Sequence, residues 1–454
     1  MTTTILIAAA GSYGDVAPFT GLGARLREAG YTVALATHDS FAGLVEGAGL
    51  EFRRLPADPR AGATDPGGPE ATGAPASRSS GPASSASSAS SASSKGGTAL
   101  DSQRALMRRA AAFVQELGLG IAEAASPGAD LLLLSATTAP LGWHVAEALG
   151  VPSLGTYLQP TAPTGDFAPV VGGARSLGRW GNRVAGRLSL RVVDRLYAGA
   201  VRRLRDELGL PAATSRAVRA RQEAARWPVL HGFSRAVLPR PADWRPGLEV
   251  VGNWWPYVAS EDRLPPEVED FLAAGPPPVF VGFGSMAAGR GEQVAEVVVR
   301  ALRRAGVRGV LQSGWAGLAG PDAGDDILTI GEVPHALLFP RMAAVVHHAG
   351  AGTAAAGLRA GVPAVPVPVL ADQPFWAGRL AALGAATAPL PFRELTSAGA
   401  GARLAEAIGR AVRDPGLRER AADAARRMAA EDGAGEAVKA VERLRAGDGG
   451  PSTL

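Results

Sequence analysis

The chain has 454 residues, 46% of them hydrophobic and 6% aromatic, with 46 basic against 42 acidic side chains, a formal charge of +4, and no cysteine. That length can bury two substantial cores and makes two domains the default. The near balance of charge gives nucleic-acid binding no general support, and the missing thiols exclude disulfides, thiolate metal sites and cysteine nucleophiles. The first arginine is Arg25, so no basic flank precedes the opening apolar run, and a strand is expected there rather than a secretion signal. No uncharged stretch reaches the roughly 20 apolar residues that cross a bilayer, and a cytoplasmic location is the expectation.

Thr4 to Ala9 predicts a strand ended by Gly11. Phe19, Leu22 and Leu26 then recur at helical spacing up to Gly30, with Pro18 in the expected first turn. Tyr31 to Thr37, Ala129 to Ser135 and Val151 to Tyr157 predict further strands with helical segments between them, a pattern that argues a parallel sheet covered on both faces. Residues 61–98 interrupt it: eleven of the eighteen residues from Ser77 to Ser94 are serine, a composition that builds no core and predicts a disordered surface insertion. Helical spacing resumes at Leu106, Ala110, Phe113, Leu117 and Ile121.

From Arg175 to Arg226 the chain carries thirteen arginines against Asp194, Asp206, Glu207 and Glu223. Arg175, Arg179, Arg183, Arg187, Arg191 and Arg195 fall on every fourth residue, a slowly winding basic stripe on a helix beside Leu188, Leu190, Val192 and Val193. A solvated face is one reading and peripheral contact with an anionic membrane, at its inner face, is the other. The Pro- and Trp-rich residues 239–262 read as an interdomain linker. Strands are expected again at Val279 to Phe283, Val307 to Gln312, Ile327 to Ile330, Ala343 to His347 and Ala364 to Val367. The division is therefore an N-terminal Rossmann-like domain over 1–238, a C-terminal one over 263–432, and a final helix and tail over 433–454.

Three turns after strands carry groups fit for chemistry. Gly11-Ser12-Tyr13-Gly14-Asp15 lacks the G-x-G-x-x-G spacing of a dinucleotide turn, although Asp39 imitates its ribose-binding acid, so hydride transfer is disfavoured. Asp15 suits both a helix cap and a general base. His347-His348-Ala349-Gly350-Ala351-Gly352-Thr353 reads as an anion site, with close backbone approach at Gly350 and Gly352 and donors on His348 and Thr353. Metal is not expected there, because neighbouring strand residues point to opposite faces and no carboxylate or third histidine lies nearby in sequence. Asp372-Gln373-Pro374 offers acceptors and donors to sugar hydroxyls, or a cap before a Pro-initiated helix. Ser285, in G-F-G-S-M, holds the equivalent first turn of the second half as a phosphate ligand. All lie beyond the carboxyl ends of strands, where open α/β sheets bind ligands.

These segments, G-S-Y-G-D-V-A-P at Gly11 to Pro18, G-F-S-R-A-V-L-P-R-P at Gly232 to Pro241, V-G-F-G-S-M at Val281 to Met286, H-H-A-G-A-G-T at His347 to Thr353 and A-D-Q-P-F-W at Ala371 to Trp376, together resemble the GT-B nucleotide-sugar glycosyltransferases, in the branch of sterol glucosyltransferases and bacterial antibiotic or glycolipid glycosyltransferases. The resemblance covers nearly the whole chain outside the Ser-rich insertion. It implies an α/β GT-B fold, two Rossmann-like domains whose parallel sheets face an interdomain cleft. It also implies metal-independent, cofactor-free, inverting transfer of a hexose, foremost glucose from UDP-glucose, to a hydroxyl of a sterol, polyketide or other hydrophobic acceptor. A dTDP-deoxysugar transferase and a non-catalytic helper protein are the alternatives.

Carried over, Asp15 is the base. The donor is held by Ser12, Ser285, His348, Gly350, Gly352, Thr353, Asp372 and Gln373, with Trp315, Val333 and His335 near its base and ribose. The acceptor lies among Thr137, Thr138, Trp143, Gln159 and Phe167, with core packing an equal reading for Trp143 and Phe167. Tyr13 departs from the arginine usual in this turn, and Ala349 with Ala351 departs from the more frequent H-H-G-G-A-G-T, changes that bear on donor preference.

Overall fold

Parallel strands need cover on both faces, and the apolar runs supply it: β4 (Leu131–Leu134) is four consecutive leucines, all buried. The structure is a computed structural model that describes residues 2–56, 112–172, 175–284, 291–313 and 324–446. The Ser-rich insertion, Leu106, Ala110, Ser285 and Trp315 lie outside the described residues.

The first sheet has the order β3-β2-β1-β4-β5-β6-β7. Its other strands are β1 (Thr4–Ala8), β2 (Thr32–Thr37), β3 (Glu51–Arg54), β5 (Ser153–Tyr157), β6 (Val229–His231) and β7 (Leu248–Val250). The second has the order β10-β9-β8-β11-β12, built from β8 (Val279–Gly282), β9 (Gly309–Gln312), β10 (Ile327–Ile330), β11 (Ala344–His347) and β12 (Ala364–Pro366). Every pairing among these strands is parallel. The strand order reverses between β1 and β4 in the first sheet, where Ile5 faces Leu131, and between β8 and β11 in the second, where Gly282 faces His347. Those two reversals open crevices at the strands' carboxyl ends, and the Gly11–Asp15 and His348–Thr353 turns sit in them.

Two sequence expectations shift. Helix α1 (Tyr13–Glu28) begins at the Ser12 cap, and Pro18 lies inside it rather than in its first turn. The reciprocal capping of Ser12 and Asp15 starts the helix early, and Pro18 then removes a single i to i−4 bond. Residues 248–250, within the stretch read as linker, form the seventh strand beside β6, so the crossing to the second half starts after Val250.

The crossing segment is packed down. Trp254 is buried and donates its Nε1–H to the Gly433 carbonyl at 3.0 Å, while the Arg359 guanidinium lies 4.4 Å from the Trp255 ring centre. The last helix, α14 (Gly433–Ala446), returns to the first half and buries Ala437, Ala440 and Val441 in one core with Ile5 and Phe19. Glu431, just before it, accepts from Ser234 Oγ at 3.1 Å and from the Arg235 backbone N–H at 2.9 Å.

Candidate functional site

On the first half, the turn after β1 folds a carboxylate back over its own backbone. Asp15 Oδ2 accepts from the Ser12 backbone N–H at 2.9 Å and from Ser12 Oγ at 2.8 Å. Gly11 has φ +143°, and a Cβ built on it would stand 2.6 Å from Asp15 Oδ2, so glycine is what lets the carboxylate lie there. His38 Nε2 accepts from the Gly11 N–H at 3.2 Å and holds the turn from β2. Asp15 therefore sits at the third position of α1 and is not itself the N-cap; the cap is Ser12. Asp15 lines a pocket of about 10 Å³ with Ala10, Ser135, Ala136, Thr137, Thr156, Leu158 and Gln159, room for about one water.

On the second half, Gly350 is the N-cap of α10 (Ala351–Arg359), so Gly352 and Thr353 occupy its first turn. Backbone N–H groups there have no partner within the helix and present the positive end of its dipole. A Cβ on Gly350 would stand 2.5 Å from His348 Nε2; the missing side chain lets the imidazole lie across the helix start. Burial lowers the His348 pKa to about 4, against the opposing effect of a hydrogen bond with the Gly282 backbone, so the ring is neutral at pH 7 and lies over the helix start without adding charge. His347 is fully buried and turned the other way, its Nδ1 accepting from the Ala349 N–H at 3.0 Å. Among the described residues no group of three or more potential metal ligands converges.

Asp372 holds the N-cap position of α11 (Gln373–Ala382) without a side-chain capping bond; its Oδ2 instead accepts from Trp376 Nε1 at 2.9 Å. Burial raises its pKa; the Trp376 bond opposes this, the Asp15 charge adds to it, and a hydrogen bond with Gln159 opposes it. Two groups of the first half thus act on Asp372 from across the cleft, which places the expected base and the expected sugar-binding carboxylate in one site. Gln373 turns its Oε1 inward, to the Val369 N–H at 2.8 Å and the Leu370 N–H at 3.2 Å. It shapes the loop with that oxygen and keeps only its amide N–H groups for a ligand. Ala371 holds φ +59° in this turn and is exposed. Ala371→Gly is expected to gain about 0.5–1 kcal/mol, read as a higher denaturant midpoint at unchanged slope; a lower midpoint would refute strain at this residue.

The other expected contacts divide. Thr137 and Gln159 line the Asp15 pocket. Phe167 packs on Phe375 of α11 at 5.4 Å between ring centres, joining the halves. Thr138 does not face the cleft: it is fully buried, donates to the Ala8 carbonyl at 2.7 Å and lies 3.1 Å from Ser135 Oγ, tying β4 to β1. Trp143 is also drawn elsewhere. It lies on α4 (Ala139–Leu149) under the Arg221 guanidinium at 4.8 Å, beside the ion pairs of Glu147 with Arg205 at 2.6 Å and Arg221 at 2.7 Å. Val333 is partly buried and packs against the edge of the core. His335 opens α9 (His335–Leu338) and stacks on Phe339 at 4.2 Å, and burial lowers its pKa to about 4. Tyr13, marked in the sequence only as a departure bearing on donor preference, is 46% exposed; desolvation and then the Glu332 carboxylate of the second half raise its pKa, which sets it on the cleft side, towards the turn expected near the donor's base and ribose.

Residues 5–167 match the Glycosyltransferase family 28 N-terminal domain, and residues 321–444 match the erythromycin biosynthesis protein CIII-like C-terminal domain. The O-mycaminosyltylonolide 6-deoxyallosyltransferase of Streptomyces fradiae is 36% identical over 393 residues, covering 85% of each chain. Sterol 3-beta-glucosyltransferase UGT80A2 of Arabidopsis thaliana is 32% identical over 402 residues, covering 86% of this chain; this chain spans only 58% of that relative's length. The crystal structure of the glycotransferase of kitacinnamycin shares the fold at a TM-score of 0.68 and 20% identity, over 98% of this chain and 99% of the other. Two parallel sheets meeting at a cleft, the turns at their switch points and a relative alike along most of both chains lead to one conclusion: this chain belongs to the GT-B nucleotide-sugar glycosyltransferases, beside the sterol glucosyltransferases and the antibiotic sugar transferases.

Proposed function

We propose that the protein transfers a hexose, foremost glucose from UDP-glucose, to a hydroxyl of a hydrophobic acceptor with inversion at the anomeric carbon. The observation that carries this reading is that the Asp15 turn and the His348–Thr353 turn sit at the switch points of the two sheets, with Asp15 near enough to Asp372 for its charge to help raise that carboxyl's pKa. In this reading Asp15 takes the acceptor hydroxyl's proton as the oxygen attacks the anomeric carbon. The bond to the diphosphate breaks on the opposite face, and the departing charge is met by the backbone N–H groups at the start of α10 and by the His348 N–H. That charge sink leaves no step that requires a resident metal or cofactor. Asp372 accepts from the sugar hydroxyls and the Gln373 amide donates to them. The acceptor enters beside Thr137 and Gln159, where the present pocket is far too small for a sterol, so binding requires the halves or the rim loops to part.

The dTDP-deoxysugar alternative is favoured by the name and 36% identity of the Streptomyces fradiae relative. Calorimetric titration with UDP and with dTDP decides between the two, and the reading predicts the tighter constant for UDP. A catalytically silent helper, the remaining alternative, predicts no turnover with any donor.

The raised Asp372 pKa gives a pH signature. A carboxylate raised in this way loses its charge on acidification earlier than an ordinary one, so kcat/KM is expected to fall on an acidic limb shifted upward from that of an ordinary aspartate. Asp372→Asn is expected to raise the donor KM about tenfold, as loss of a charged hydrogen-bond acceptor does, and to remove that limb. An unchanged limb in the variant would show that another group titrates.

A further inference from the structure

Helix α5 (Gly178–Glu207) spans 30 residues, about 45 Å at the usual rise. Of the ten large hydrophobic side chains exposed among the described residues, seven lie between Val171 and Leu196. Trp180 is 79% exposed and Val192 68%, with Leu188 and Leu196 about half exposed. At 3.6 residues per turn, Trp180, Leu188, Val192 and Leu196 share one half of the helix with Arg187, Arg191 and Arg195, while the buried Asn182, Gly186, Tyr197, Ala200 and Leu204 fall on the other. Those three arginines are exposed and make no ion pair among the described residues, unlike Arg183 and Arg219, which pair with Asp243 and Asp194. Exposed aliphatics between unpaired arginines are wasteful against water alone.

We propose that this face of α5 docks on the surface of an anionic lipid bilayer, Trp180, Leu188, Val192 and Leu196 entering the headgroup boundary while the arginines reach the phosphates. Long guanidinium stems let the charge stay at headgroup level as the aliphatics sink. A second copy is a poor occupant, because a two-fold contact would set the same arginines against one another. A nucleic acid offers the aliphatics nothing to bury.

The start of α5 is tied to the cleft. Asn182 donates to the Gly165 carbonyl at 3.0 Å, and Asp243 accepts from Arg183 at 2.8 Å and from the Gly165 N–H at 2.8 Å. The loop so fixed carries Gln159 and Phe167, which reach α11. Docking would therefore set the acceptor side of the cleft beside the bilayer, and this consequence rests on the proposed transfer to a hydrophobic acceptor.

The test is cosedimentation of the full chain with vesicles of phosphatidylcholine alone and with 30 mol% phosphatidylglycerol, a composition of roughly the anionic content that recruits basic segments. Binding is expected to the anionic vesicles, to weaken with salt, to fall about a hundredfold in Arg187→Glu/Arg191→Glu/Arg195→Glu, and to fall several-fold in Trp180→Ala, with the circular-dichroism spectrum of each variant matching the parent. Absent binding, or equal binding by the triple variant, would overturn the proposal. So would a dimer in sedimentation velocity that these substitutions dissolve while vesicle binding stays absent. Capture is read without donor or acceptor, so its failure is separate from a failure of the transfer reaction.

Discussion

Asp15→Asn is expected to lower kcat for glycosyl transfer about a thousandfold while leaving donor affinity near the parent value. The asparagine oxygen can still accept from Ser12, so the turn and the start of α1 are preserved, and only the capacity to hold a proton is lost. Positioned general bases contribute roughly 10²–10⁴ in rate, and here no second carboxylate of the first half stands in the pocket that Asp15 lines. Asp372, across the cleft, has one oxygen on Trp376 Nε1 and in this reading holds the sugar hydroxyls with the other. Calorimetry for nucleotide binding and single-turnover rates separate the two effects. A variant with parent-like turnover would remove Asp15 from the chemistry, and one that also loses nucleotide binding would assign it to the architecture of the cleft.

The second large effect is acid instability above the range where carboxylates titrate. Burial lowers the pKa of His144, His231, His335 and His348 to about 4 and that of His347 to about 3, against about 6.5 in an unfolded chain. A depressed histidine leaves the folded state short of a proton that the unfolded state binds. Its stabilisation is complete above the unfolded value and is lost as pH falls from about 6.5 towards 4. Between pH 7 and pH 5 this amounts to roughly 2 kcal/mol per ring and several kcal/mol for the set, a large share of ordinary domain stability. Glu147, held at about 2 against the opposing effect of its own burial by hydrogen bonds and charge from Arg205 and Arg221, adds a second loss below about 4.5. Urea midpoints at pH 7, 6 and 5 measure the first window. A midpoint constant across it would mean that the five rings take up protons without unfolding.

Much of the site is legible in sequence because it lies where chemistry and backbone coincide. A turn that needs Gly11 for clearance and Gly350 for an overlying imidazole writes itself into the sequence, and strand-turn-helix patterning then assigns it to a switch point. The Ser12–Asp15 pairing was also present as a capping spacing, but Pro18 drew the helix start downstream. Other features are set by partners distant along the chain. Nothing near Trp143 announces Arg221, and Thr138 seeks the Ala8 carbonyl across two strands. Strands β6 and β7 are three residues each; runs that short carry no period of their own, and β7 sits among prolines and tryptophans that read as linker. Tyr13 and Glu332 meet only because the two halves do.

The most direct measurement is incubation with UDP-glucose and a panel of sterols and polyketide aglycones without added metal, with product followed by mass and anomeric configuration by proton NMR. The account predicts a monoglucoside whose anomeric centre is inverted relative to the donor. A folded protein that forms no glycoside from UDP- or dTDP-sugars and binds neither nucleotide would contradict it.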